Sequence, residues 1–239
     1  MGFDQTPDHT LAGERLPARL RRYLLAYQLD AITALAGEKR RVLSFLTALT
    51  YDLDRLVSWR AVEAIGLAAA RIAQDDPEYV RNHLRRQVWL LSDESGGIGW
   101  RAPEIIGAIL CPHPGQFARQ YAEFIPLLIS ILDLESEDVV RFQAGVLWAI
   151  GRLAQALPYA ELRMAVPLIL PCLQDQRAQV RGMALWCLQQ PGFRAQQQVQ
   201  GAVQPLLRSF RDDSGVVEFY EGGQLILVNL SQLCVTFDR

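Results

Sequence analysis

Two glutamates stand where the surrounding sequence pattern favours a small residue, and their carboxylates are the side chains best placed to do chemistry. An arginine recurs along the chain; three residues after it, two segments carry Ala144 and Ala184, whereas two others carry Glu63 and Glu104. A carboxylate that faces neighbouring helices loses hydration, which raises its pKa unless a cation or a donor compensates. Such a pair could hold a cation, bind a basic peptide or do acid–base chemistry. The alternative is a structural hydrogen bond to the backbone or to an indole.

Four tryptophans lie on the same segments as the recurring arginines. Trp59 and Trp100 directly precede two of those arginines, and Trp148 and Trp186 lie on the two segments that follow. A buried indole needs a polar partner for its N–H, and aromatic side chains line many ligand sites. Two interpretations therefore stay open: a packed core, and an aromatic groove for a peptide or a planar ligand.

The segment before Trp100 is the most glycine-rich turn of the chain. Gly96, Gly97 and Gly99 follow Ser95 and precede the start of a predicted helix. Glycine permits a close approach of the backbone, and the free N–H groups of a helix start can hold an anion. The spacing does not match a P-loop, because no Gly-Lys-Ser or Gly-Lys-Thr follows. We expect either an anion-binding loop or a tight turn that accommodates the bulky indole.

The remaining residues that could bind metals or act as nucleophiles are scattered. His9, His83 and His113 lie far apart and none precedes a glutamate, so neither a metal nor a cofactor is expected. No Gly-x-Ser-x-Gly motif is present, and no catalytic residue is assigned. The four cysteines show no paired spacing, which favours reduced thiols in a cytoplasmic protein.

The spacing of the recurring arginines indicates what must position all of these side chains. They stand at residues 60, 101, 141 and 181, in steps of 41, 40 and 40 residues, and a degenerate fifth copy follows at 217–221. An apolar segment and an acidic turn precede each copy, the apolar residues recur at helical spacing, and no alternating strand pattern is visible. The sequence therefore predicts pairs of antiparallel helices that stack into one continuous core.

The acidic turns predict a ladder of ion pairs along the stacked repeats. Each turn places an aspartate six to eight residues before the recurring arginine. Partly buried pairs of this kind would hold the turns in register, and loss of one partner would leave the other unpaired. The predicted pairs are Asp52 with Arg60, Asp93 with Arg101, Asp133 with Arg141, and Asp175 with Arg181.

The pattern resembles the HEAT-repeat family over residues 43–237. That family has Pro and Leu in the first helix of each repeat, Asp at the turn and Val-Arg at the start of the second helix, as in Val140-Arg141 and Val180-Arg181. The stretches 94–100 and 145–151 look similar to an uncharacterised group of bacterial HEAT-repeat proteins. The resemblance implies an all-α fold, a right-handed α-α superhelix of about five helix pairs.

The two ends of such a solenoid require capping elements, because its end repeats have only one neighbour. We expect residues 1–15 to form a mobile tail and residues 16–239 to form a single domain. Residues 16–36 are predicted as an N-terminal capping helix, and the segment from Gln224 to Leu230 as a helical C-terminal cap.

Charge and motifs favour a binding role. Lysine and arginine number 24 against 26 acidic residues, so an excess of positive charge that would hold nucleic acid is absent. No uncharged stretch is long and apolar enough to span a membrane. The predicted function is a non-catalytic scaffold that binds another protein or peptide on its concave face, where Glu63 and Glu104 would lie.

Two alternatives come from other proteins that resemble the HEAT family. One is a DNA glycosylase for alkylated bases, in which Trp148, Arg181, Trp186 and Glu104 would take the aromatic, basic and acidic roles. The other is a tetrapyrrole lyase-like protein that holds a pigment on the concave face.

Overall fold

The computed structural model describes residues 14–91, 99–111, 119–133 and 139–237. The helices are α1 (Leu16–Leu25), α2 (Leu29–Glu38), α3 (Val42–Leu49), α4 (Arg55–Ala73), α5 (Pro77–Trp89), α6 (Ala102–Leu110), α7 (Phe124–Ser130), α8 (Val139–Ala156), α9 (Tyr159–Leu162), α10 (Val166–Ile169), α11 (Ala178–Leu188), α12 (Pro191–Arg194), α13 (Gln197–Val203), α14 (Leu207–Arg211) and α15 (Leu230–Phe237). The strands are β1 (Val216–Glu221) and β2 (Gln224–Asn229). Turns of 3-10 helix lie at Ile131–Asp133, Arg163–Ala165, Leu170–Gln174 and Gln204–Leu206.

The helices are arranged in two layers. An inner row of α2, α4, α6, α8 and α11 packs side by side in chain order, and α3, α5 and α7 pack behind this row. Local signals set the helix starts: the carboxylate of Asp54 accepts from the backbone N–H groups of Leu56 and Val57, and Asp76 caps α5 ahead of Pro77. The predicted solenoid of stacked helix pairs is confirmed.

Glycines hold the inner helices in close contact. A Cβ atom at Gly66 of α4 would lie 2.5 Å from the Ala108 carbonyl oxygen, and one at Gly107 of α6 would lie 2.6 Å from the Cβ of Ala149. Gly151 of α8 is covered in the same way by the ring of Trp186. Since there is no room for a side chain at any of these glycines, the neighbouring helices of the inner row pack tightly against one another.

The predicted N-terminal capping helix is two helices. The segment 16–36 breaks between α1 and α2 at Tyr27, which has a φ of 54°. Arg60 of α4 accounts for this break, because its guanidinium donates to the carbonyl oxygens of Leu24 at 2.9 Å and Leu25 at 2.7 Å. A buried cation thus binds the last carbonyls of α1, a favourable arrangement at the end of a helix.

The prediction of helices in the fifth copy and in the C-terminal cap is wrong. Residues 216–221 and 224–229 form an antiparallel β-hairpin, in which Val216 pairs with Asn229 and Glu221 with Gln224. The reason lies in the two loop residues: Gly222 and Gly223 have φ values of 55° and 76°, and this Gly-Gly loop suits the tight turn of a hairpin. The β-branched and aromatic residues on both sides favour strands.

This hairpin reaches back to the first helices of the chain. The backbone carbonyl of Gly223 accepts from Arg60 Nε at 2.9 Å, and Glu218 forms an ion pair of 2.6 Å with Arg55. The hydroxyl of Tyr220 donates to Glu63, which lies 157 residues earlier in the chain. The hairpin therefore crosses the inner face and joins the last repeat to α4.

The predicted ladder of ion pairs has different partners. Asp52 pairs with Arg21 at 2.7 Å, which leaves Arg60 bound to three backbone carbonyls instead of an aspartate. Asp133 and Arg141 form no ion pair with each other. The prediction is wrong for these two pairs because Arg60 is bound by the backbone carbonyls and the guanidinium of Arg141 lies over the ring of Trp100.

The other two rungs of the ladder also differ. Arg181 donates to the backbone carbonyl of Asp175 at 2.7 Å, but its ion pair is with Asp213, and the Asp175 carboxylate pairs with Arg177. Arg101 pairs with Glu104 on its own helix at 2.9 Å. Asp93, its predicted partner, lies outside the described residues. The recurring arginines are thus anchored individually rather than by one repeated contact.

A buried histidine makes the stability of the fold depend on pH. His83 of α5 lies within 3.3 Å of the Thr47 hydroxyl and 3.4 Å of the Gln87 amide, and burial, with a smaller effect of Arg86, lowers its pKa from 6.5 to about 4. The unfolded chain binds this proton first, so stability is complete above pH 6.5 and falls as the pH drops towards 4. We expect a loss of up to about 3 kcal/mol from this group.

Urea unfolding of the wild type and of His83→Gln between pH 4 and pH 7 measures this effect. The wild type should lose more unfolding free energy than the variant over that range, because the variant has no imidazole to protonate. Carboxylates contribute to both proteins and cancel in the difference. Parallel pH profiles would contradict the assignment.

Candidate functional site

Among the described residues, two cavities lie on the inner face beside the hairpin. The first has a volume of about 470 Å³, and we call it the tryptophan cavity; its lining includes Trp59, Trp100, Arg101, Glu104, Arg141, Trp148 and Glu218. The second has a volume of about 270 Å³, and we call it the hairpin cavity; its lining includes Glu63, Trp148, Arg152, Trp186, Phe219 and Tyr220. Trp148 lines both cavities, so one indole forms part of the wall between them.

Trp59 is the centre of an aromatic cluster at this wall. Its ring stacks on Tyr220 of the hairpin at 5.5 Å with an interplanar angle of 5°, and meets Trp148 edge-on at 5.3 Å. The guanidinium of Arg101 lies 4.3 Å from the centre of the Trp59 ring, within the range of a cation–π contact. The indole is only 5% exposed, and its Nε1 has no hydrogen-bond partner in the described part of the chain.

Glu104 is a buried carboxyl group with one oxygen unsatisfied. Only 4% of the residue is exposed, Oε1 accepts from Arg101 at 2.9 Å, and Oε2 has no partner among the described residues. Burial raises the pKa of this carboxyl, and Arg101 opposes that rise. Gly145 of α8 provides the space, because a Cβ there would lie 2.6 Å from Oε2. A donor from a bound molecule would satisfy this group.

Glu63 does not share a site with Glu104. It lines the hairpin cavity, where its carboxylate accepts from the Tyr27 hydroxyl at 3.1 Å and from the Tyr220 hydroxyl. Burial and this neighbouring carboxylate raise the pKa of Tyr220, so its phenol stays protonated as a donor. The expectation of a carboxylate pair in one site is therefore wrong, since the hairpin lies between the two and binds Glu63 itself.

The four predicted tryptophans are distributed over both cavities. Trp100 is 47% exposed at the rim of the tryptophan cavity, and the guanidinium of Arg141 lies 5.6 Å from its ring centre. No carboxylate of the described residues forms an ion pair with Arg141. Trp186 lies on the other side, where it lines the hairpin cavity and contacts Phe219 at 6.2 Å.

Most of the predicted anion-binding loop lies outside the described residues. Ser95, Gly96 and Gly97 lie outside the described residues, and Gly99 is described as the residue whose carbonyl accepts from Ala102 at the start of α6. The loop therefore stays a prediction.

Four of the lining residues named above are not predicted from the sequence. Glu218, Phe219 and Tyr220 belong to the fifth copy, which is a strand and not the expected helix, and Arg152 lies on the helix that carries Trp148. The signal for Arg152 was its spacing: four residues after Trp148, it must share the same face of α8.

Neither a metal-binding cluster nor a membrane-spanning helix is present in the described ranges of the chain. There, no group of three His, Cys, Asp or Glu side chains could hold a metal ion. None of the helices placed in those ranges combines the length and the apolar character that crossing a membrane requires.

Comparison with known proteins gives one family match and several distant similarities. A family model described as "HEAT-like repeat" matches residues 140–190, which span α8 and α11. An uncharacterized protein of Archaeoglobus fulgidus is 27% identical over 197 residues, which cover 80% of this chain and 93% of that protein.

Two of the similar solved structures are designed proteins. A designed armadillo repeat protein described as made for modular peptide recognition superposes with a TM-score of 0.49 at 17% identity, over 93% of this chain and 98% of its own. A second, described as bound to the peptide (KR)4, gives a TM-score of 0.48 at 18% identity, over 95% of this chain and 100% of its own.

Proposed function

Since the chain is a HEAT-like helical-repeat protein, we propose that it is a non-catalytic binding module that holds a segment of another protein in the tryptophan cavity. Stacked helix pairs present an extended inner surface, which is the surface that such solenoids use for binding. Here the hairpin covers part of that surface, so the binding segment must enter beside it. The tryptophan cavity is the larger of the two spaces that the hairpin leaves.

One observation carries this proposal: two complementary polar atoms of this cavity are buried and unsatisfied. Glu104 Oε2 is an acceptor and Trp59 Nε1 is a donor, and neither has a partner in the described ranges of the chain. A buried polar group without a partner costs about 1–3 kcal/mol. A peptide group offers one N–H and one C=O, which match the two atoms, and because both atoms are closed to solvent the side chains around them must shift for a bound backbone to reach them.

The rim of the cavity indicates which side chains the bound segment should carry. Trp100 presents half of its indole to solvent, and aromatic anchors of this kind are common centres of binding energy. Arg141 stacks on that indole and has no ion pair among the described residues, so it is available to an acidic side chain. The partner segment is therefore expected to be extended and to carry an acidic residue near its anchor.

Selection from a random-peptide phage library, followed by fluorescence anisotropy of the selected peptides, tests this function. We expect Trp100→Ala to weaken binding by at least about 30-fold, because a central tryptophan contributes about 2 kcal/mol or more. Arg141→Gln should weaken acidic peptides selectively. Both side chains are exposed, so the melting temperature should change little.

Trp89→Ala is the matched control, because Trp89 is a comparably exposed tryptophan that does not line the cavity. It should leave the affinity unchanged. A library that yields no binding peptide, or peptides that bind Trp100→Ala as tightly as the wild type, would contradict the proposal.

The two alternative functions have no observation of this kind in their favour. The glycosylase roles require Trp148, Arg181, Trp186 and Glu104 to converge. The structure places Glu104 at the tryptophan cavity and Trp186 at the hairpin cavity, and it pairs Arg181 with Asp213. For the tetrapyrrole alternative, no contact among the described residues favours a bound pigment.

A further inference from the structure

The hairpin cavity is a second site, and we propose that it binds a small aromatic carboxylate. Residues from α4, α6, α8, α11, α15 and both strands line it, so its shape depends on the closed position of the hairpin. This inference is independent of the proposed peptide site, because only Trp148 is shared between the two cavities.

The cavity does not arise from loose packing between the helices. Behind it, α6 and α8 touch at Gly107 and Ala149, and α8 and α11 touch at Gly151 and Trp186, with no gap for a side chain. The space exists because the strands cross over this tight wall. Its volume of about 270 Å³ lies at the small end of ligand pockets and suits a molecule of one or two rings.

Aromatic side chains determine the shape of the molecule that fits. Trp148 and Trp186 line the cavity from the helices, and Phe219 and Tyr220 line it from β1. Flat rings stack or meet edge-to-face with such side chains at little entropic cost. A planar aromatic body therefore fits this space better than a branched or a strongly hydrated one.

Arg152 determines the charge of the molecule. Its Nη2 donates to the carbonyl of Cys111 at 3.1 Å and its Nη1 to Gln155 Oε1 at 3.1 Å, so the guanidinium is held in place by neutral partners. Its Nε is buried without a partner, and no carboxylate of the described residues pairs with it. A fixed cation that lacks a counter-charge is the usual receptor for a carboxylate.

The other titratable groups that line the cavity do not bind the carboxylate of the ligand. The carboxylate of Glu63 is already bound by the two tyrosine hydroxyls, and Glu221 is exposed to water at the tip of the hairpin. The thiol of Cys111 is neutral, because burial raises its pKa to about 11. Of the described residues that line the cavity, Arg152 alone carries a positive charge.

Isothermal titration calorimetry with 2-naphthoate and its neutral analogue 2-naphthamide tests the proposal. The two probes share one ring system and differ in charge, so a site built on Arg152 should bind the acid at least ten-fold more tightly. Arg152→Gln should remove this preference, and Arg208→Gln, a change of an exposed arginine that does not line the cavity, should keep it. Failure of naphthoate to bind, or equal binding of acid and amide, would overturn the proposal.

A second variant covers the case in which Arg152→Gln does not fold. Ile226→Trp enlarges a partly exposed residue that lines the cavity, so it should block naphthoate while circular dichroism shows an intact fold. Trp100→Ala should bind naphthoate like the wild type, because Trp100 belongs to the other cavity. Binding that Ile226→Trp retains, or that Trp100→Ala loses, places the probe elsewhere and contradicts the assignment.

Discussion

Replacing Arg60 with methionine is expected to lower the free energy of unfolding by about 3–5 kcal/mol, because three backbone carbonyls lose their donor and each buried acceptor left unsatisfied costs about 1–3 kcal/mol. The side chain is only 6% exposed, and its guanidinium donates to the carbonyls of Leu24, Leu25 and Gly223. Methionine fills similar space without a donor, so it leaves these buried carbonyls unsatisfied. The loss should be large because one side chain holds both the end of α1 and the tip of the hairpin.

Arg55→Met is the matched control for that experiment. Arg55 also contacts the hairpin, through its ion pair with Glu218, but its side chain is largely exposed. Exposed ion pairs contribute about 0–1 kcal/mol, so urea unfolding should show a small change. Equal losses of unfolding free energy for the two variants would mean that the buried Arg60 does not hold α1 and the hairpin together.

Gly223→Ala is expected to destabilise the protein by about 3 kcal/mol. The residue has a φ of 76°, a conformation that costs an alanine about 1–2 kcal/mol. A Cβ atom there would also overlap the ring of Tyr27, and such a clash adds about 1–3 kcal/mol. Since Tyr27 is the residue that joins α1 to α2, the clash should push the hairpin away from the N-terminal helices.

The neighbouring glycine separates these two effects. Gly222 has a φ of 55° and no atom within 4 Å of its ideal Cβ position, so Gly222→Ala carries the backbone strain without the clash. It should cost about 1–2 kcal/mol by thermal unfolding. Equal destabilisation by the two alanines would show that the Tyr27 contact is not formed.

The position of the hairpin connects stability with the sites. Tyr220 stacks on Trp59, and Glu218 lines the tryptophan cavity beside Arg55. The hairpin cavity has one of its walls formed by β1 and β2. Variants that release the hairpin should therefore alter peptide binding and abolish naphthoate binding together.

The repeated part of the fold could be predicted from the sequence. The steps of about forty residues between arginines identify α4, α6, α8 and α11 as equivalent helices, and the structure confirms them. The departure of Glu104 from the small residue of the other copies identified a side chain that proves to be buried and half satisfied. Both inferences rest on local periodicity, which the sequence displays directly.

The remaining features depend on contacts between distant residues. No spacing relates Arg60 to Gly223, because they are 163 positions apart and meet only after the solenoid has formed. The ladder of ion pairs rests on residues that are close in the sequence. In the structure Asp52 pairs with Arg21 and Arg181 pairs with Asp213, and both partners are more distant in the sequence. The hairpin is not predicted because the forty-residue repeat is continued into residues 217–221, where the helix pairs have already ended. The sequence does contain a hairpin signal there, Gly222-Gly223 between two runs of β-branched and aromatic residues.

A nuclear Overhauser measurement between the Tyr27 ring protons and the α protons of Gly223 tests the closed arrangement most directly. The contact joins the turn after α1 to the tip of the hairpin, two segments that are far apart in the sequence. Cross-peaks between these protons, with ordered amides through 216–229, are the predicted result. Their absence, with rapidly moving hairpin amides, would contradict it.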